Sequence, residues 1–579
     1  MGSLQAIKFS RFWNLFLFGL TACLLCTDLT HGRLSVDLLA APLITIFFIS
    51  WLTGYIHKTI RTVIQVVIGE CIIGICLIDC YCQIFCGTAL NSQIFSNIIL
   101  SDFRESYEFM LTFIGYRVIL HPRIAGLMIL TFLFPLSYCI GTSRMEKYAN
   151  KLLFQIIAIF LITICSIIII PSAYKYIQLF SADTDFRKTE GFIFRHYHEE
   201  MPTPLHRFLF SYYASKQSKQ VLKRIKQSTY SANIINCTHL SPHIVLVIGE
   251  SYNKHHSSLY GYRLPTATLQ QKRKEKGDLY LFSNVVTAWN ITSNVFFDIF
   301  SMWESGSNDN ISDYPLFPTL FRRAGYDVTF FSNQYNLKGF SKGVTNQAGH
   351  FFLADKELSD SLFTYRSNGP MNYDLEMVKQ IKAYKRDCGQ SAYTLDIIHL
   401  IGQHFNYSMR YPHSLASFSI DDYTERTLDK EAKQIVMHYD NATKYDDIVL
   451  DSLVSIYEKE EAILVFVADH GEEVYDELPI HGRRFDEPTA IQAKNEFEVP
   501  MWIWCSELYQ ERHPEIVSII HSSTKKPILT DGMPQALLFL AGIKCKWTNE
   551  TNNFLSPHFQ YKPRIIGGSV DYDKLRKNH

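Results

Sequence analysis

Two short segments carry side chains suited to holding a cation. Asp469 and His470 follow the apolar run 462–468 directly, and Gly471 then permits a tight turn before Glu472. Far upstream, Glu250 follows Gly249 at the end of the apolar run 243–248. An aspartate, a glutamate and an imidazole supply the oxygen and nitrogen donors that zinc accepts. A lone Asp-His pair says little, because the same residues cap helices and bond loops. Two such clusters, each ending a buried apolar run, form a more specific signal.

Ligands at the ends of apolar runs need a scaffold that brings those ends together. Runs closing in polar groups recur at 243–251, 327–334, 395–404, 462–470 and 499–504, with helical stretches such as 316–324 and 432–456 between them. Alternating strands and helices predict an α/β domain whose mainly parallel sheet is covered by helices. Ligands of such sheets bind beyond the carboxyl ends of the strands. The polar ends of these runs, among them Glu250, Ser251, Gln334, His404, Asp469 and His470, are therefore expected to converge on one crevice.

The first third of the chain reads differently. A membrane helix keeps about 20 apolar residues in the hydrocarbon core, and five stretches approach this: 12–26, 38–56, 63–85, 124–140 and 152–170. Basic residues lie before the first span (Lys8, Arg11), between the second and third (Lys58, Arg61) and between the fourth and fifth (Arg144, Lys147, Lys151). The positive-inside rule puts those positions in the cytoplasm, with the N-terminus inside and everything after residue 170 outside. The first span reads as a retained helix, since no small-residue cleavage site follows it. Glu70 and Asp79 in the third span read as structural or interfacial acids. Glu105 and Glu108 share a face if their loop is helical. Leu205, Phe208, Leu209 and Tyr212 recur at helical spacing and predict an amphipathic connector. The expected domains are thus 1–172 (transmembrane, five helices), 173–242 (amphipathic interfacial linker helices) and 243–579 (catalytic). Lysine plus arginine equals aspartate plus glutamate at 56 each, which excludes the basic excess of a general nucleic-acid binder. Nine of the 13 cysteines precede residue 170, without zinc or redox spacing, and read as small packing residues. Cys237, Cys388, Cys505 and Cys545 lie downstream, where an extracytoplasmic setting permits pairing.

In order, the motifs resemble the sulfatase and alkaline-phosphatase superfamily and, with five amino-terminal spans, the membrane phosphoethanolamine transferases that modify lipopolysaccharide. The segments are 245–251 followed by Ser258-Leu259-Tyr260-Gly261-Tyr262, then 399–404 with Arg410-Tyr411-Pro412. Tyr439-Asp440-Asn441 with Asp446 comes next, and 469–472 with Ile480-His481-Gly482 closes the series. The resemblance implies a sulfatase-like α/β domain in the periplasm on an inner-membrane anchor. It makes Glu250, Asp469 and His470 zinc ligands. Matched back from Phe300-Ser301, it makes Thr292 the nucleophile and a fourth ligand, with Thr287 and Ser293 as neighbouring competitors and Ser251 behind the glutamate. It assigns His404 and His481 to the donor phosphate. One Zn2+ is implied, with a second possible. The implied donor is phosphatidylethanolamine, and the acceptor is lipopolysaccharide (lipid A or core) or another envelope glycan. Zinc lowers the pKa of a bound hydroxyl and so activates a threonine, which carries the phosphoethanolamine covalently between the two lipids.

Departures from the family leave the acceptor open. Trp289 and Asn290 stand where the lipid A enzymes have glycine and threonine, and the segment after Tyr262 follows the family loosely. Glycerol-phosphate transfer of the lipoteichoic acid synthase type also suits the Thr292-Ser293 pair. A non-catalytic membrane scaffold is the remaining alternative. A formylglycine sulfatase is disfavoured, since no Cys/Ser-x-Pro-x-Arg signature lies near Thr292.

Overall fold

The computed structural model describes residues 12–26, 36–85, 89–90, 94–95, 115–139, 160, 163–164, 167 and 203–577, except 306, 308, 335–354, 368, 370, 389–390 and 485–487. The chain forms two compact units: Met1–Ser96 with Phe113–Gln217 and Arg484–Asp486, and Ser218–Arg483 with Glu487–His579 and Asn97–Thr112.

The first unit is helical: α1 (Phe12–Leu25), α2 (Val36–Thr53), α3 (Lys58–Phe85), α4 (Pro122–Ser137) and the start of α5 (Pro204–Ser231). Leu15, Ala22, Cys23, Ile46, Ile72, Cys76, Cys80, Leu127 and Phe134 fill the seam between helices. Cys23, Cys26, Cys76, Cys80 and Cys82 are buried as packing residues, whereas Cys71 and Cys139 are exposed. Leu52, Val63, Phe132 and Leu136 point outward, the pattern of helices apolar on all sides. Among the described residues, Ile60–Phe85 is the one stretch long and apolar enough to cross a membrane; Phe12–Leu25, Ala40–Thr53 and Pro122–Ser137 are shorter apolar helices. The expected fifth span, 152–170, lies largely outside the described residues, as do Glu105 and Glu108.

Polar groups in this seam are tied together. Asp79 is fully buried and accepts two bonds from Arg207 on α5, at 2.8 and 2.5 Å, together with bonds from the Gln83 side chain and the Leu90 N–H. Arg123 donates to the carbonyls of Leu25 and Cys26, closing the free end of α1. Of the expected amphipathic stripe on α5, Phe208 packs edge-on against Phe95 at 5.3 Å, whereas Leu209 and Tyr212 are exposed.

The second unit is built on a seven-stranded sheet. Its strands are β1 (His243–Gly249), β2 (Leu279–Phe282), β3 (Asp327–Ser332), β4 (Tyr365–Arg366), β5 (Thr394–His399), β6 (Ala462–Ala468) and β7 (Met501–Cys505). They lie in the order β2-β7-β6-β1-β5-β3-β4. β6, β1, β5, β3 and β4 run parallel, and β7 alone is reversed, pairing antiparallel with β6 and β2. The sheet is therefore mixed, and the run 499–504 is its reversed strand. Every residue of β6 is buried, as are all of β1 beyond His243. Near-continuous apolar runs of this kind belong to strands covered on both faces. Two helices matter most for the site: α6 (Thr292–Phe300) and α7 (Lys430–Tyr457). The Asp429 side chain caps α7 by accepting from the Ala432 N–H. Ahead of β1, Ile234–Cys237 pairs antiparallel with Ile543–Cys545, so residues before His243 already pack in this unit. Cys237, Cys388, Cys505 and Cys545 are all free thiols.

A buried clamp joins α7 to the ribbon formed by Glu473–Val474 and His481–Gly482. His256 Nδ1 lies 2.6 Å from Asp440 on α7, and its Nε2 lies 3.0 Å from Asp476 in the ribbon turn. Ionised carboxylates only accept, so both ring nitrogens must carry protons and the imidazole is a cation. Burial opposes that charge, but Asp476 and Asp440 outweigh it and raise the His256 pKa to about 10. Tyr262 and Tyr423 donate to the second oxygen of Asp440, and Arg426 donates to Asp476.

Two stability tests follow from these buried charges. Arg207→Met strands the Asp79 carboxylate and is expected to lower stability by about 3–5 kcal/mol. Pairing it with Asp79→Leu should restore much of the loss in thermal melts of the detergent-solubilised protein. His256 has a raised folded pKa, so its contribution is complete below its ordinary value of 6.5 and is lost as pH rises through about 10. The melting-temperature gap between wild type and His256→Gln should accordingly be widest below pH 6.5 and shrink towards pH 10.

Candidate active site

Strand register assembles the site. Gly249 pairs with Ala468 and Ile248 with His399, so Glu250 and Asp469 leave adjacent strands at one level. The chain turns sharply after Glu250: Ser251 has a φ of 56°, in the left-handed region that side chains seldom adopt. The turn is held by its bonds. The Ser251 N–H donates to Asp469 Oδ1 at 3.0 Å, and its hydroxyl donates to Glu250 Oε1 at 2.7 Å. Tyr439 on α7 donates to the Ser251 carbonyl and accepts from the Asn253 N–H, both at 2.6 Å. This explains the tyrosine of the Tyr439-Asp440-Asn441 motif. Gly402 passes so close that a Cβ there would lie 2.8 Å from the Glu250 carbonyl oxygen.

Glu250, Asp469 and His470 are fully buried, with their ligand atoms within 4.8 Å of one another. Thr292, the first residue of α6, joins them: its Oγ1 is 3.2 Å from Glu250 Oε2 and 3.2 Å from His470 Nε2. The competing hydroxyls stand apart from this cluster. Thr287 is bonded to Thr530, and half-buried Ser293 makes no described contact with it. His470 Nδ1 donates to the Gly471 carbonyl at 3.0 Å, which fixes the tautomer and leaves the Nε2 lone pair facing the cluster. Asp469 Oδ1 takes the Ser251 and His470 N–H groups, while the buried Oδ2 has no hydrogen-bond partner. Burial and the neighbouring Glu250 charge push the Asp469 carboxyl well above the usual range. Two carboxylates this close need a proton or a cation between them. An orphaned buried oxygen, a second carboxylate, an oriented imidazole and a hydroxyl fit a zinc ion.

The remaining expected residues surround this centre. His404 follows β5; its Nδ1 bonds the Phe405 carbonyl, and it feels the Glu250 charge. His481 lies in the ribbon, with Nδ1 3.2 Å from the Tyr475 hydroxyl and its ring edge-on to Tyr407. Burial lowers both histidines to about 4, so both are neutral near pH 7. Neither makes a described contact with the four clustered side chains. Several participants had no role assigned from the sequence. Gln334, just past β3, donates to Glu250 Oε2 at 2.8 Å. Arg483, two residues after His481, donates to His470 Nε2 at 2.6 Å and to the Asn290 carbonyl at 2.9 Å. Its Nε lies 3.4 Å from Glu472, which also accepts the Tyr407 hydroxyl. Burial raises the Glu472 pKa to about 7. Gln334 carried one signal, its place at a strand's carboxyl end; Arg483 sits among ordinary loop residues.

The sulfatase family model matches residues 242–537. The phosphoethanolamine transferase EptC of Escherichia coli K12 is 28% identical over 385 residues, and the match spans 64% of this chain and 64% of that relative's length. The C-terminal periplasmic domain of Escherichia coli EptC, solved in complex with zinc, has a TM-score of 0.52 at 25% identity and covers 59% of this chain and 96% of its own. The integral membrane lipooligosaccharide phosphoethanolamine transferase A of Neisseria meningitidis covers 95% of this chain and 98% of its own, with a TM-score of 0.59 at 18% identity. That last likeness is one of fold, and it extends through the helical unit.

The geometry makes a metal-binding prediction. A Cβ on Gly471 would lie 2.2 Å from the Asn495 carbonyl oxygen. Gly471→Ala must therefore shift the loop that orients His470, and zinc affinity should fall by about 10–100-fold. Asp469→Ala should abolish stoichiometric zinc. Competition with a chelating indicator measures both.

Proposed function

The chain belongs to the sulfatase family, and from that premise we propose that it is a phosphoethanolamine transferase of the bacterial envelope. Phosphatidylethanolamine is the donor, and lipopolysaccharide (lipid A or core) or another envelope glycan is the acceptor. The observation that carries this reading is Thr292, whose hydroxyl meets Glu250 and His470 at 3.2 Å inside a buried cluster fit for a metal. The named transferase relatives support the headgroup. One zinc ion is proposed, held by Glu250, Asp469 and His470, the one such group among the described residues, with the Thr292 hydroxyl beside them as a fourth ligand.

The residues divide the work. Zinc, when bound, supplies a Lewis acid that lowers the pKa of the Thr292 hydroxyl and polarises a phosphoryl oxygen. Thr292 Oγ1 forms a bond to the donor phosphorus as the phosphorus–oxygen bond to glycerol breaks. The threonine proton passes to solvent, and the leaving oxygen takes a proton from His404 or His481, so that diacylglycerol departs as the alcohol. An acceptor hydroxyl or phosphate oxygen then attacks the phosphoethanolamine-threonine, and Thr292 regains its proton. His404 and His481 face the phosphate in this reading; an anion beside them raises their lowered pKa values, so donor binding recruits them as proton-bearing donors. Gln334 and Ser251 hold the Glu250 carboxylate.

The proposed setting is the inner membrane: a five-span anchor over 1–172, an interfacial connector after it, and a periplasmic catalytic domain that already includes the strand Ile234–Cys237. The N-terminus is cytoplasmic. Confining enzyme, donor and acceptor to one membrane raises their effective concentration. Intact-mass spectrometry with peptide mapping tests the chemistry. Thr292 should carry a phosphoethanolamine adduct that Thr292→Ala lacks, and transfer by that variant should fall at least about 10³-fold. A glycerol-phosphate adduct would instead move the chain to the lipoteichoic acid synthase branch.

A further inference from the structure

We propose that Arg483 is a catalytic residue of this site, its guanidinium binding the non-bridging oxygens of the phosphoryl group while that group is joined to Thr292 and to the lipid on either side. The inference rests on the transferase reading above. No other lysine or arginine touches Glu250, Thr292, Asp469 or His470 among the described residues. The guanidinium is anchored on two edges: NH1 by the Asn290 carbonyl and His470 Nε2, and Nε by Glu472. Its NH2 group makes no hydrogen bond with the protein among the described residues. The side chain is 14% exposed, so it is fixed in place yet reachable from outside.

Charge points the same way. The four clustered side chains bring two carboxylates, and a phosphodiester adds another negative charge. His404 and His481 are neutral near pH 7 before substrate arrives, because burial lowers both to about 4. Arg483 is the standing cation in contact with the cluster, whereas Arg410 acts on His404 beside it; a guanidinium stays charged at any working pH. Its planar fork matches two phosphate oxygens. His470 Nε2 has one in-plane lone pair, so a metal ion and the Arg483 N–H are alternative partners for it. The donor displaced from His470 is the one offered to phosphate. As the bond from Thr292 Oγ1 to phosphorus forms and the bond to the leaving oxygen breaks, charge collects on the non-bridging oxygens. A fixed donor pair there stabilises the transition state.

The test is titration calorimetry of inorganic phosphate into the zinc-loaded, full-length protein in detergent, comparing wild type, Arg483→Gln and Arg483→Lys. Arg483→Gln should bind phosphate at least about tenfold more weakly while keeping zinc stoichiometry and melting temperature, and its transfer rate should fall about 10²-fold or more. Arg483→Lys should lie between, since a point charge replaces the fork. Unchanged phosphate affinity in Arg483→Gln, no phosphate binding by wild type, or loss of zinc from the variant would each overturn the proposal. An Arg483-dependent phosphate site on a protein whose Thr292 never carries phosphoethanolamine would uphold this inference and reject the transferase reading.

Discussion

Glu250 and Asp469 place two carboxylates beside the His470 imidazole, all buried and with ligand atoms within 4.8 Å. Away from water, that much like charge is unfavourable unless a cation or a proton joins it. The surrounding structure is arranged around this constraint. Register between β1 and β6 brings the two acids level, and the left-handed turn at Ser251 gives one backbone N–H to Asp469. Gly402 and Gly471 let neighbouring backbone approach where a side chain would collide. Together they leave Asp469 Oδ2 facing the centre without a protein donor.

The same logic appears with opposite charge in the His256 clamp. There a buried imidazolium satisfies two carboxylates, Asp440 and Asp476, and so fixes the ribbon that carries His481 and leads to Arg483. The ribbon that carries His481 is thus tied to α7 through a charged contact, and the turn at Ser251 is tied to the same helix through Tyr439. One long helix sets both halves. In the helical unit, Asp79 and Arg207 form a third buried pairing, and there it joins α3 to α5. An ion pair without water is costly to break by removing one member, which makes it a specific connector between otherwise uniform apolar helices.

The helical unit shows a limit of composition as a guide. Apolar stretches located α1 to α4 within a few residues, because burial in lipid or between helices demands long apolar runs. Asp79 read as an interfacial or structural acid, and its structural role became definite only with its partner. Arg207 is 128 residues away, and no local pattern links the two.

For the second unit, sequence alone determined the α/β class, the positions of β1, β3, β5 and β6, and the convergence of Glu250, Asp469 and His470, because hydrophobic periodicity and the polar strand ends are local properties. Thr292 was named among three hydroxyls only through the family resemblance, and the packing of α6 brings it alone of the three to the cluster. The reversal of β7 was hidden, since an apolar strand reads the same in either direction. The neutral state of His404 and His481 depends on how deeply they are buried, a quantity that no residue type carries. Gln334 and Arg483 joined the site through contacts across 84 and 13 residues of chain. Local pattern fixes which segments become strands and helices. Which distant side chains meet, and therefore how their charges and lone pairs are shared, is decided only when the sheet and its loops close around the centre.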